Sequence, residues 1–205
     1  MGRALTKRGE ERRHQLLDTA TAAFAEHGYH TTSVADIVDR VGVGKGVFYW
    51  YFESKEALFL EVLARAQDDL RGAQGAPTDD PDPLRRLELG IRSSLTWLEA
   101  NRGVLVIFQL AATDDRFVGV LRAGEAAMAD ELAGHLKEAI VAGRIPDGDP
   151  QVLAYAVLGA IDALARTFLG REGAWDEGVA DTAVAFCLGG LMANRATRPG
   201  GSASS

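Results

Sequence analysis

The chain has 205 residues, 47% hydrophobic and 25% charged, enough for a small unit plus a larger core. A single cysteine, Cys187, excludes an internal disulfide and any cysteine-based zinc site, and the four histidines lack metal-ligand spacing, so no cofactor is expected. The net charge of −7 argues against a nucleic-acid partner only until it is divided: residues 1–55 hold eight Lys and Arg against seven Asp and Glu, leaving fourteen against twenty-two for the remainder.

Met1-Gly2-Arg3 does not lead into a signal-peptide core, and no run of about 18 apolar residues is read as a membrane span; a cytoplasmic protein without a membrane partner is expected. Arg3, Lys7, Arg8, Arg12 and Arg13 precede or open the first helix, as either a basic arm or a solubilising tail. Residues 9–27 carry Leu16, Leu17, Ala20, Ala23 and Phe24 at the spacing of one helical face. His27 and His30 then bracket a turn at Gly28 and are expected at the surface.

A second helix is predicted to follow Ser33, an N-cap with Asp36 three residues on, and to bury Val34, Ile37, Val38 and Val41. Gly42 ends it in the position where a left-handed residue is cheap. The third helix runs from about Lys45 to Tyr51, anchored by Phe48 and Phe52, and Ser54 caps a fourth beginning at Lys55. Two lysines therefore open helices, where a cation opposes the dipole at a cost of roughly 0.3–1 kcal/mol. Phosphate contact gives that placement a use; a solvated lysine is the alternative. Tyr49, Trp50 and Tyr51 cannot all face one core, and an exposed phenol can reach a phosphate oxygen. Such a helix pair suits the major groove of DNA. Gly42-Val43-Gly44-Lys45-Gly46 is glycine-rich, yet it lacks the preceding strand and following Ser or Thr of a nucleotide cradle.

The stretch from about Gln15 to Leu63 resembles the DNA-binding domain of the tetracycline-repressor (TetR) family of transcriptional regulators. The resemblance is carried by Leu17-Asp18-Thr19-Ala20, by Phe24 to Tyr29, by Thr32-Ser33-Val34 with Asp36-Ile37-Val38, by Gly42 to Tyr49, and by Phe52 to Leu58. It implies that Lys45, Gly46 and Val47 lie against base edges or the adjacent backbone, and that Ser33, Tyr49, Tyr51 and Lys55 contact phosphates. Gly44 stands where the family often has a Ser or Thr cap, so that helix start is either looser or uses backbone N–H groups only. Val47 replaces a common Thr or Ser and offers a thymine methyl an apolar contact. Tyr51 replaces a common His.

Beyond residue 58 the chain reads as helix, at about 83–99, 103–112, 115–142, 150–169 and 176–195, with breaks at 72–83 and 143–150. The fold class is all-α with about nine helices: a helix-turn-helix DNA-binding domain with its basic arm over 1–55, a helical ligand-binding and dimerisation domain over 56–198, and a disordered tail over 199–205. In the helix at 150–169, Ala154, Val157, Leu158, Ile161, Ala165 and Phe168 form one stripe, and Leu153, Ala156, Ala160 and Ala163 form another of mostly small residues. The last helix is apolar nearly all round. Both need cover on two sides, which a second copy supplies. The helix after Ser54 is the expected transmitter between the two domains.

The resemblance implies a small-molecule pocket among the central helices, for which Trp97, Phe108, Gln109, Phe117, Leu121 and Met128 are candidates; ordinary core is the alternative for each. No nucleophile–base set suggests an enzyme. The expected function is a homodimeric repressor released from palindromic operator DNA by a small-molecule effector. A helix-turn-helix regulator that is constitutive or controlled by a partner is the alternative.

Overall fold

The computed structural model describes residues 6–75, 80–170 and 174–193. Arg3, the middle of the expected linker at 76–79 and the tail at 199–205 lie outside them. Among the described residues there are nine α-helices and no strand: α1 Lys7–His27, α2 Val34–Val41, α3 Lys45–Tyr51, α4 Lys55–Gln74, α5 Pro83–Ala100, α6 Gly103–Thr113, α7 Val118–Val141, α8 Pro150–Leu164 and α9 Glu177–Ala193. A π-helical turn, Ala165–Leu169, extends α8. Local chemistry sets most ends. Asp149 accepts from the backbone N–H groups of Gln151 and Val152, and Pro150 follows at the first helical position, where its missing N–H costs nothing. Asp82, expected in the linker, accepts from Leu84 N–H at 3.0 Å and so caps α5.

The chain forms two compact units, within Met1–Leu70 with Ala100–Glu125 and within Arg71–Glu99 with Ala126–Ser205. This differs from a division after residue 55. The reason is burial: Leu58, Phe59, Val62 and Leu63 of α4, Ile107 and Ala111 of α6, and Phe117 and Leu121 complete the core begun by Leu16, Leu17, Ala20 and Phe24 of α1. One long helix and two short ones could not enclose that apolar area by themselves. At its centre Phe59 meets Phe117 at 4.4 Å, Tyr29 at 5.0 Å and Phe24 at 5.4 Å between ring centroids, each pair tilted or edge-on. Gln67 is buried and donates to the Leu121 carbonyl at 2.7 Å. Gly124 makes room for it, because a Cβ there would lie 2.2 Å from the Gln67 amide nitrogen.

In the other unit, Leu87, Ile91 and Leu95 of α5, Leu132 and Leu136 of α7, Val157 and Ile161 of α8, and Val184, Cys187 and Leu191 of α9 are buried. Burial also pushes the Cys187 thiol pKa up, as an inert core cysteine requires. Surface ion pairs tie this unit: Arg86 to Glu138, Arg144 to Asp82 at 2.6 Å and Arg92 to Asp181 at 2.7 Å. The outer faces of its last helices stay uncovered. Val152, Tyr155, Ala156, Gly159 and Ala163 of α8 are exposed, as are Phe186 (70% exposed), Gly189, Gly190 and Met192 of α9. Pro150–Leu169 is a continuous 20-residue helical run, long and apolar enough by composition to cross a membrane. Gln151, Thr167 and an Asp162–Arg166 ion pair at 2.7 Å interrupt it, so it holds no unbroken run of about 18 apolar residues, as expected from the sequence.

Candidate nucleic-acid interface

α2 and α3 are fixed by short-range interactions. Ser33 Oγ accepts from Asp36 N–H at 3.2 Å, and the Asp36 carboxylate accepts from Ser33 N–H at 2.8 Å, a reciprocal capping box. The bond from the Ser33 backbone, then the Ser33 hydroxyl, holds the Asp36 pKa below its ordinary value. Gly42 ends α2 at φ 74°, ψ 38°, its N–H donating to Asp39 and Val38 carbonyls. A side chain is strained in that left-handed region, so glycine suits the turn. Gly44 precedes α3 in extended geometry with no side-chain cap. The first-turn N–H groups of α3 thus have no side-chain acceptor from their cap.

α3 faces two ways. Phe48 is fully buried and Phe52, just past its end, nearly so, which turns the opposite face outward. Gly44, Lys45, Gly46 and Val47 are exposed, Tyr49 is 57% exposed and Trp50 70%. Lys45 is the single charged residue within α3. Trp50, which sequence reasoning passed over, lies nearly opposite Phe48 and Phe52 at 100° per residue. The signal was available: of three consecutive aromatics, one must point directly away from the core. Tyr51 is half-buried against the core beside Phe52. Ser33 is exposed at the start of α2.

Lys55 does more than expected. Ser54 caps α4 by accepting from Ala57 N–H at 3.0 Å, as its position implies. The Lys55 ammonium, however, donates to the carbonyls of Tyr29 at 2.8 Å and Thr32 at 2.9 Å, and lies 4.2 Å from the Tyr29 ring centroid. Two of its three N–H donors are thereby spent on the α1–α2 loop. Burial, then repulsion from Arg116, lowers its pKa from the ordinary value. Lys55, expected at a phosphate, thus also clasps loop to helix. Thr32 completes the loop by donating to the Gly28 carbonyl at 2.8 Å.

The same loop is held from a third side. Arg116, before α7, lies 5.3 Å from the Tyr29 ring and 4.9 Å from the Phe117 ring. It pairs with Asp114 through two bonds of 2.9 and 2.7 Å and approaches Glu56 at 3.6 Å. The guanidinium holds the Asp114 pKa down at about 2. Elsewhere the cations expected in an arm are drawn into α1: Lys7, Arg8, Arg12 and Arg13 all lie within it. Arg13 pairs with Glu61 and lies 5.3 Å from the Phe52 ring.

The six residues expected to line a ligand pocket are not brought together. Phe117 and Leu121 are core of the first unit, with Phe108 packed beside them, and Gln109 is exposed on α6. Trp97 on α5 is half-buried, and Met128 on α7 is buried, its carbonyl facing Gln74 at 3.4 Å. Aromatic and Met residues at helical spacing filled the core because enclosed area favours them there. Gln109 alone of the six lines a cavity, of about 380 Å3, in the first unit, and one of about 460 Å3 lies within the second unit. Its walls are Leu87 and Ile91 of α5, Leu132 of α7, and Val157, Leu158 and Ile161 of α8, with Gln74 at the end of α4.

Residues 16–62 match the profile of the bacterial regulatory proteins, tetR family. RutR of Escherichia coli, an HTH-type transcriptional regulator, is 31% identical over 153 residues, 69% of this chain and 68% of RutR. The chain belongs to the tetR family. FasR of Mycolicibacterium smegmatis, an HTH-type transcriptional activator, is 37% identical over 102 residues; these are 49% of this chain and about half of FasR, 47%. Among solved structures, the transcriptional regulator FadR of Bacillus subtilis in complex with stearoyl-CoA superposes with a TM-score of 0.76 at 22% identity, over 88% of this chain and 97% of FadR. The helix-turn-helix of this tetR-family member therefore comprises α2 and α3, with α1 and α4 as its support.

Proposed function

We propose that the chain is a cytoplasmic DNA-binding transcriptional regulator, a homodimeric repressor that releases a (pseudo)palindromic operator when a small molecule fills the cavity of the second unit. The observation that carries this reading is the outward face of α3. It presents Gly46, Val47, Tyr49 and Trp50 beside the exposed Lys45, on a helix whose opposite side is locked by Phe48 and Phe52. Lys45, Ser33 and Tyr49 serve the phosphates, Gly44 and Gly46 let the backbone come close, and Val47 and Trp50 meet base edges or sugars.

The uncovered faces of α8 and α9 support a twofold pairing. Their small residues, Ala156, Gly159, Ala163, Gly189 and Gly190, permit close helix approach, and Tyr155, Phe186 and Met192 supply apolar area. Such pairing accounts for a helix apolar enough for a membrane by composition. Two α3 helices then read half-sites roughly 34–36 Å apart. The cavity favours ligand control over a constitutive regulator. Effector and operator must oppose each other by one common factor, since the coupling is reciprocal.

Selection of bound duplexes from a random pool tests this, with light scattering on the bound species. Recovered sequences with twofold symmetry, bound by two chains, are expected. Recovery of no sequence above background, or binding by one chain, contradicts the proposal.

A further inference from the structure

The chemistry of the cavity walls narrows the ligand, on the reading that this cavity is the effector site. Its six aliphatic side chains face a lining with no Phe, Tyr or Trp among the described residues, so it offers no flat face for stacking a planar aromatic. Its polar groups are largely engaged within the protein. Arg86 donates to the Asp80 carbonyl at 2.9 Å and pairs with Glu138. The Asp80 carboxylate accepts from Asp82 N–H at 2.9 Å. Ser94 donates its hydroxyl proton to the Gly90 carbonyl at 2.9 Å, and Gln74 donates toward the Met128 carbonyl.

His135 is different. Its ring lines the cavity, and its Nδ1 is buried with no hydrogen-bond partner among the described residues. A proton on Nδ1 would be an enclosed, unanswered donor, whereas a bare lone pair is tolerated more readily. The tautomer with its proton on Nε2 is thereby favoured over the one with its proton on Nδ1, and Nε2–H becomes the donor the wall can offer.

Charge completes the picture. The ionised groups of the lining are Asp80 and Glu138 against Arg86, and Arg86 is already bound to Glu138. A carboxylate or phosphate placed here meets net negative charge and no uncommitted cation among the described lining residues. We infer that this cavity takes a compact, uncharged, aliphatic molecule with one hydrogen-bond acceptor for His135. At the ~30 Å3 occupied by a water-sized group, it has room for roughly 15 non-hydrogen atoms. The acyl-CoA found in FadR, with its polyanionic head, is a poor match.

Calorimetric titration of the full chain, without DNA, tests this with 2-decanone, decanoate, decyltrimethylammonium and stearoyl-CoA. One molecule of 2-decanone per chain should bind at least tenfold more tightly than the charged probes. His135→Leu should weaken the ketone about tenfold, the worth of one hydrogen bond, while His135→Gln, which keeps a donor, should retain it. Leu158→Trp, which fills the cavity, should abolish binding. The imidazole nitrogen NMR spectrum of the unsubstituted chain, independent of any variant's folding, should show His135 protonated on Nε2. Failure of 2-decanone to bind, a charged probe binding as well as the ketone, indifference to His135→Leu, or a proton on Nδ1 overturns the inference. Operator release is measured separately: a ketone that binds as described but leaves DNA affinity unchanged defeats the regulatory reading and leaves the ligand class standing.

Discussion

Replacing Phe117 by Ala distinguishes a core residue from a ligand contact. The ring is fully enclosed, 4.4 Å from Phe59 and 5.2 Å from Tyr29, with the Arg116 guanidinium 4.9 Å away. Truncating a core Phe costs about 3–5 kcal/mol through lost transfer energy and the cavity left behind. The three ring neighbours place this site near the middle, about 4 kcal/mol, because Phe59 and Tyr29 are themselves pinned and cannot collapse inward. For a chain of this size, roughly 2–4 °C per kcal/mol converts the loss into a fall in Tm of roughly 8–16 °C. Thermal and urea melts followed by circular dichroism give the shift, and titration of the second unit's cavity at low temperature gives ligand affinity. The expected result is a large loss of stability with ligand affinity retained. A Tm within about 2 °C of the unsubstituted chain, with ligand binding lost, would return Phe117 to a binding site and refute the assignment.

Other outcomes follow from single contacts. Asp114 has a folded pKa of about 2 against an ordinary 3.8, so the stability it contributes is complete above the ordinary value and is lost as pH falls through the folded one. The difference in Tm between the chain and its Asp114→Asn variant should therefore shrink as pH falls from about 4 to 2; a difference independent of pH would show that the Arg116 pair is not formed in solution. Phe186→Glu places a charge on the exposed face of α9 and should give a monomer by light scattering, with operator affinity lower by on the order of a hundredfold. An unchanged dimer would move the interface elsewhere. Lys55→Met breaks two charge-assisted bonds to the α1–α2 loop and should cost about 2 kcal/mol of stability while leaving the salt dependence of DNA binding unaltered. A reduced salt slope would restore Lys55 to the phosphate contacts.

Where structure depends on neighbours in sequence, the chain is legible. Ser33 makes the expected N-cap with Asp36 three residues on, Gly42 takes the expected left-handed turn, and α3 has its predicted ends. The two stripes on α8 likewise separate into a buried face and a partly uncovered one. Long-range partners are what sequence withholds. Lys55 occupies the predicted helix start, but its fate is decided by carbonyls 23 and 26 residues earlier. Phe117 and Met128 are apolar residues on helices, and nothing local says whether a neighbouring side chain or a ligand covers them. His135 stands out only once its surroundings exclude a partner for Nδ1. Trp50 was a different matter: helical geometry alone places it opposite Phe48 and Phe52.

The salt dependence of operator affinity, compared between the chain and Lys45→Ala, tests most directly that α3 reads DNA. The logarithm of affinity should fall linearly with the logarithm of salt concentration. The substitution should make that slope shallower by about 0.9 per chain, or about 1.8 for a dimer, with weaker binding throughout. Equal slopes and affinities for the two proteins would contradict the placement of α3 at the DNA.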